Sequence, residues 1–389
     1  MDNIKQHKVL FFLVMFIVVT INAQTTFQNN GNIQIHEDGQ VGFHTDVVNN
    51  GTFDQNLGMV GFYSVDDQLE VSGTNEAVFN NVEVNVFDNL YLETSITVAN
   101  NLSFITGKVI TPRDNLDVSL KFSEYFLHSG ENDEAHVDGY VSSTDNTEFT
   151  FPIGDENSLR PMLLPEQPEN TSYTGAYFKE DPNNPSTFDI SFDTNEKQNL
   201  LNKISEYEFW DLNGTEETEV VLTWDFFSYL NEFGDELKSI RVVGWDKIEN
   251  RWVDLGGKNI TGDLNEGSVQ SSKFIPDNYE VITIGTDVSS VLGNEIVSRN
   301  YAFTPNGDGI NEVLVVEGVE LRPNNSINIF NRWGALVFSQ KGYDNTWDGV
   351  SKHDLTINKN KGLPTGTYFY TLTFYDEGIT LTGYIYIMR

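Results

Sequence analysis

Tyr301-Ala-Phe-Thr-Pro-Asn-Gly-Asp-Gly-Ile-Asn311, Ile327-Asn-Ile-Phe-Asn-Arg-Trp-Gly334, Asn345-Thr-Trp-Asp-Gly349, Leu363-Pro-Thr-Gly-Thr-Tyr-Phe-Tyr370 and Gly383-Tyr-Ile-Tyr-Ile-Met-Arg389 decide how the chain is read. Ile327 and Ile329 alternate with Asn328, and Tyr368, Tyr370, Leu372 and Phe374 alternate with smaller or polar residues. That period of two marks half-buried strands. Asn306-Gly307 and Asp308-Gly309 favour positive φ and therefore turns, Arg332-Trp-Gly334 after a turn-prone Asn331 reads as the bend between two strands, and Pro364 with Gly366 opens a final hairpin. The expectation for residues 301–389 is a small antiparallel β-sandwich of about seven short strands.

Outward from this stretch, residues 286–300 read as a linker with Gly293-Asn294 as its flexible point. Residues 204–285 carry the strand patterns Val220–Trp224, Ser239–Trp245, Arg251–Leu255 and Tyr279–Ile284, with Asp246–Asn250 as a turn, and read as an immunoglobulin-like sandwich. Phe226 to Phe233 is the one helical turn expected. Residues 112–193 read as a second sandwich-like unit, in which Asp181-Pro-Asn-Asn-Pro185 must be a loop because two prolines disallow a central strand.

Residues 24–111 hold Leu90-Tyr-Leu92, Ile96-Thr-Val98, Leu102-Ser-Phe104 and Lys108-Val-Ile110, short runs every six residues separated by Asn-Asn or Thr-Gly corners. Such a beat suits a β-solenoid whose strands stack rung on rung, and a sandwich of short strands is the alternative. Met1 to Ala23 has Lys5 and Lys8 ahead of an apolar run from Val9 to Val19, the pattern of a signal peptide with cleavage between Ala23 and Gln24. The apolar run is shorter than the about 20 residues a membrane span needs.

The formal charge is −35, from 58 acidic against 23 basic residues scattered along 389 positions. Phosphate backbones are repelled by such a surface, so no nucleic-acid partner is expected. Cysteine is absent, which removes thiol nucleophiles and zinc–thiolate sites and leaves core burial to hold an extracellular fold.

The five C-terminal motifs, in order and spacing, resemble the gliding-motility-associated C-terminal domain of Bacteroidetes, the type B sorting domain of the type IX secretion system. The matching residues are Phe303-Thr-Pro-Asn-Gly-Asp-Gly-Ile-Asn-Glu312, Ile329-Phe-Asn-Arg-Trp-Gly334, Trp347-Asp-Gly349, Leu363 to Tyr370, and Leu381-Thr-Gly-Tyr-Ile-Tyr-Ile387 followed by Arg389. The resemblance implies that this end is an address read by the translocon, which exports folded proteins from the periplasm to the surface, and that it can dock on an outer-membrane partner. Asn306, Gly307, Asp308, Gly309, Asn311, Asn331, Arg332, Trp333, Gly334, Trp347, Asp348, Gly349, Pro364, Gly366 and Tyr368 are the motif residues it singles out. It says nothing of the chain before residue 301.

Chemistry-bearing patterns elsewhere are weak. Asn306-Gly-Asp-Gly309 echoes a calcium loop, but with Asp308-Gly309 on the loop's fifth and sixth places, Thr304 and Val315 fall where carboxylates belong. A structural turn is the preferred account. The histidines at 7, 36, 44, 128, 136 and 353 lack the spacing of a helical metal site, although His36 and His44 could approach across strands. No Gly-x-Ser-x-Gly elbow and no phosphate-binding glycine loop occurs. A pair of carboxylates for glycoside hydrolysis is a matter of space rather than of sequence. Trp210, Trp224, Trp245 and Trp252 either fill the core or present a sugar-stacking face, with core packing preferred. The expectation is thus an all-β, secreted, non-enzymatic surface protein of adhesin or matrix type without metal or cofactor. A polysaccharide-binding protein with its glycan face in residues 204–285 is the alternative.

Overall fold

The computed structural model describes residues 26–123, 127–145, 148–156, 158–165, 171–234, 236–288, 298–319, 322–351, 362–375 and 378–389. The Ala23/Gln24 cleavage point, His7, His353 and Gly293-Asn294 lie outside them. The protein is all-β, 49% strand and 4% helical, and divides into two compact units, Met1–Tyr140 and Val141–Arg389.

The first unit is a β-solenoid of about 5 turns. One of its sheets stacks Phe27–Asn29, Val47–Asn49, Leu69–Gly73, Leu90–Leu92, Val109–Ile110 and Val137–Asp138 in parallel. The other stacks Gln40–Phe43, Met59–Ser64, Ala77–Val86 and Ile96–Thr106, with Leu120–Phe122 and Leu127–Ser129 side by side on the last. Val41, Val60, Val82 and Leu102 fall in register, which gives a coil of about 20 residues. Hence the six-residue beat was not the rung: Ile96–Val98 and Leu102–Phe104 lie in one strand, whereas Leu90–Leu92 and Val109–Ile110 are true neighbours in the opposite sheet. The boundary at residue 111 also moves, because Leu120–Phe122 and Val137–Asp138 continue the stack.

Every second side chain turns inward, and the interior is a ladder of phenylalanine rings. Phe27, Phe43, Phe62 and Phe79 follow one another at centroid distances of 5.1, 5.6 and 6.2 Å, with Phe53 edge-on to Phe79 at 5.1 Å. At the corners the chain must turn without orphaning backbone groups, and buried asparagines meet that need. Asn29 Nδ2 donates to Asn49 Oδ1 at 2.8 Å, Asn49 Nδ2 donates to Asn75 O at 2.9 Å, and Asn56 Nδ2 donates to Val78 O at 2.8 Å. Asn49→Ala is expected to destabilise the unit by about 2 kcal/mol, since it leaves buried partners unpaired. Urea unfolding followed by circular dichroism would check it, and an unchanged midpoint would show that water replaces the amide.

In the second unit, Val141–Thr144, Ser172–Phe178, Phe209–Asn213, Tyr279–Asp287, Ile240–Asp246 and Arg251–Asp254 form one antiparallel sheet, and Leu201–Ile204 also pairs with Tyr279–Asp287. Phe149–Phe151, Met162–Leu164, Val221–Trp224, Gly267–Gln270 and Lys258–Gly262 form another. A Cβ on Gly175 in the first sheet would sit 2.6 Å from Met162 Cε of the second, so the two sheets are packed face to face. The units expected at 112–193 and 204–285 are therefore not separate: Ser172–Phe178 pairs with Phe209–Asn213, and Met162-Leu163 with Val221-Leu222. One sandwich is built from both.

Trp210, Trp224, Trp245 and Trp252 are all buried. Trp245 and Trp252 stand opposite each other in a hairpin, rings 5.7 Å apart at 78°, so they are cross-strand core and no sugar platform. The helical turn expected at Phe226 to Phe233 is present as two short 3-10 turns, Phe226–Ser228 and Leu230–Glu232.

Residues 298–389 build a five-stranded sheet in the order Tyr301–Phe303, Ile379–Ile387, Gly366–Phe374, Asn325–Phe330, Leu336–Lys341. The first pair is parallel and the others are antiparallel. Five strands are thus seen among the described residues, against about seven expected. The layer over the sheet is supplied instead by irregular chain, whose Leu314, Val316, Val319, Tyr343 and Trp347 join Ile327, Ile329, Tyr370, Leu372 and Ile385 in one core. Tyr343 is fixed there by a hydrogen bond to Leu314 O at 2.5 Å.

Candidate functional site

Strand register gathers the sequence motifs at one end of the C-terminal sheet. Phe303 and Gly366 both pair with Ile387, and Phe330 pairs with Phe369 and Leu336. The chain after Phe303, before Gly366, after Ile387 and between Phe330 and Leu336 consequently leaves the sheet at the same pole.

Arg389 ties four segments together there. Its Nη1 donates to Pro305 O at 2.8 Å, its Nε to Leu363 O at 3.0 Å, and its Nη2 to Asp348 O and Gly349 O at 3.2 and 3.3 Å. Its backbone N donates to Thr365 Oγ1 at 3.0 Å. A planar fork with five donors suits such an array, which an ammonium could not satisfy at once. Gly349, at φ 73°, leaves room for the arm: a Cβ would lie 3.2 Å from Arg389 Nη2 and 3.4 Å from Pro305 Cγ. At Gly362 a Cβ would come within 2.4 Å of Arg389 Cζ.

The loop after Phe303 is held by its own side chains. Asn306 Oδ1 accepts from Asp308 N at 3.0 Å, Asp308 Oδ1 accepts from Ile310 N at 2.8 Å, Glu312 Oε1 accepts from Gly309 N at 3.0 Å, and Asn311 O accepts from Thr304 N at 2.8 Å. The bond from Ile310 N, followed by that from the Asn306 side chain, holds the Asp308 carboxyl below its usual range. Gly307 and Gly309 have φ of 85° and 86° and open space around them. Among the described residues no three His, Cys, Asp or Glu gather as a metal would require. Asp308 spends its carboxylate on the turn and on Asn306 Nδ2 at 3.0 Å.

Several motif residues serve the fold. Trp347 is 1% exposed, donates from Nε1 to Val350 O at 3.0 Å and packs against Phe338 and Phe303 at 5.2 and 5.5 Å. Asp348 Oδ1 accepts from Val350 N at 3.1 Å. Tyr368 is buried and donates its hydroxyl to Pro364 O at 3.0 Å, closing the turn that enters the strand at Gly366.

The bend Asn331–Gly334 is different. Asn331 Oδ1 accepts from both Trp333 N and Ala335 N at 3.0 Å, and Gly334 turns the chain at φ 78°. This side chain pins the bend while leaving Trp333 75% exposed, with the Arg332 guanidinium 4.2 Å from its ring centroid. In the sheet, Phe369 lies opposite Phe330 and forms a cross-strand pair with Tyr384 on the open face, and Tyr386 stands opposite Thr367 in the same layer. Sequence reading missed these three. Their signal was local all the same: Phe369, Tyr384 and Tyr386 occupy the outward positions of alternating strands, where polar residues are usual.

Among the described residues the histidines join no metal-binding cluster. His44 stacks on Tyr63 at 5.4 Å, His128 Nδ1 lies 3.0 Å from Glu131 Oε1, and His136 Nδ1 donates to Asn132 O at 3.0 Å. Burial pushes His136 below its usual pKa.

No curated protein and no solved structure matches the chain. Residues 296–387 match the family model of the CHU_C type IX secretion signal domain, so this end of the chain carries the signal for export by the type IX system to the cell surface or extracellular space.

Proposed function

We propose that the exported protein is a non-enzymatic adhesin or matrix component whose C-terminal pole is read by an outer-membrane docking protein. The observation that supports the first part is the solenoid's outer surface. Successive coils repeat polar side chains in register: Asn81 beside Asn101, Glu83 beside Ser103, and Thr97 beside Lys121, the last held by Glu76 at 2.7 Å. Repetition of one weak contact along a rigid stack multiplies avidity without a pocket. The second part is supported by the division of the pole into residues that build it and residues that face solvent, Trp333 foremost. An exposed tryptophan beside an arginine is the kind of anchor a partner pocket buries. A host strain lacking the protein should lose attachment to surfaces and regain it on complementation. Undiminished attachment with the protein absent would overturn the reading. A second reading, binding of a polysaccharide, is favoured by a cleft in the sandwich described next.

A further inference from the structure

A cleft of about 270 Å³ opens on the sandwich between Thr194–Lys197, Asn202–Tyr207 and Glu232–Phe233. Its polar lining includes Thr194, Asn195, Asn202, Glu206 and Glu232, together with Lys197 and Lys203, whose ammonium groups donate to Thr194 O at 3.3 Å and to Glu232 O. Tyr207 stands in its wall, donates its hydroxyl to Glu232 Oε2 at 2.8 Å, and packs against Tyr229 at 4.6 Å between centroids.

Tyr229 belongs to a turn built to expose aromatic rings. Phe226, Phe227 and Tyr229 are 62%, 55% and 37% exposed, although nothing in chain chemistry favours three such rings in water. The turn is fixed from below. Asp225 Oδ1 accepts from Phe227 N at 2.8 Å and pairs with Arg160 Nη2 at 2.8 Å, and Arg160 is itself buried against Glu208 at 3.1 Å. Ser228 Oγ accepts from Asp225 N at 3.2 Å, and Tyr229 is held at φ 52°, a left-handed conformation uncommon for a residue with a side chain.

From this cleft, the Tyr207–Tyr229 ring pair at its wall and its two amides and two carboxylates, we infer a binding site for a neutral polysaccharide, engaged one sugar ring at a time. The inference rests on the reading of the chain as a polysaccharide-binding surface protein. Aromatic rings present flat apolar faces against which the C–H face of a pyranose can lie, while carboxylates and amides accept and donate to its hydroxyls. The cleft is smaller than the roughly 300–1,000 Å³ of pockets that enclose a whole ligand, which suits one unit of a chain passing over an open surface. The overall charge of −35 repels acidic glycans.

The test is affinity electrophoresis of residues 24–389 in gels containing mixed-linkage β-glucan, xylan or mannan, with polygalacturonate as the acidic control. At least one neutral polymer should retard the chain, and Y229A and E232Q should each weaken retardation about tenfold, with Y207F intermediate. Thermal unfolding of each variant verifies that the sandwich stands, and Y207F tests the hydroxyl with the ring kept. Retardation left unchanged by Y229A and E232Q would overturn this site while leaving polysaccharide binding intact. Retardation by none of the neutral polymers, or by polygalacturonate alone, would overturn both.

Discussion

Replacing Trp333 with alanine is expected to hold the protein in the periplasm while its C-terminal domain remains folded. The indole is 75% exposed and is no member of the domain's buried core, so its removal should change stability by no more than about 0.5 kcal/mol. The bend itself does not depend on the indole, because Asn331 Oδ1 and the positive φ of Gly334 define it. A tryptophan presented on a fixed bend loses little entropy when a partner covers it, and truncating such an anchor typically costs about 2 kcal/mol or more, roughly thirtyfold in affinity. Arg332 steadies the indole from 4.2 Å, an exposed cation–π contact of about 0.5–1 kcal/mol, so Arg332→Ala should impair delivery less than Trp333→Ala. Immunoblots of periplasm, surface and medium from the host, set beside the melting curve of the purified variant, make the comparison. Wild-type delivery of Trp333→Ala would remove the indole from the recognition surface and leave the open face of Phe369, Tyr384 and Tyr386 to be tested in its place.

The sequence made the pieces of this pole legible but not their meeting. Turn chemistry is local, so Asn306 to Asn311, Asn331 to Gly334 and Pro364 to Gly366 could be read as bends from their own residues. Arg389 reaches Pro305 across 84 positions and Asp348 across 41, and no pattern of neighbours announces such contacts. The solenoid was legible as an architecture, but its rung was missed for the same reason. Its alternation was visible in Leu102-Ser-Phe104, yet the rung of about 20 residues is a relation between strands of different coils, and the six-residue beat counted segments of one strand together with segments of the facing sheet. In the sandwich, the boundary drawn between residues 193 and 204 cuts through one sheet. It separates Ser172–Phe178 from Phe209–Asn213, which nevertheless pair along five residues. Loops punctuate a sheet without ending it, and burial of both faces against a common partner decides what counts as one core.

Removal of the Arg389 guanidinium should produce the opposite pairing of effects from loss of the indole: a domain that melts early as well as a protein that is poorly delivered. In Arg389→Ala the carbonyls of Pro305, Asp348, Gly349 and Leu363 lose a common charged donor. Water can reach part of this array, so the expected loss is about 2 kcal/mol rather than the sum of four charge-assisted bonds. For a domain of this size that corresponds to a fall of roughly 8–16 °C in the melting midpoint. Arg389→Lys should recover little, because one ammonium cannot span carbonyls disposed around a planar fork. Gly362→Ala supplies an independent check. Its new methyl would sit 2.4 Å from Arg389 Cζ and displace the arm with every donor still present. If Arg389→Ala and Gly362→Ala both melt and export like the parent, the arm does not hold the pole together. If they melt early and stay in the periplasm while Trp333→Ala stays there without melting early, assembly of the pole and recognition of its tip are separate requirements. Arg389 then meets the first and Trp333 the second.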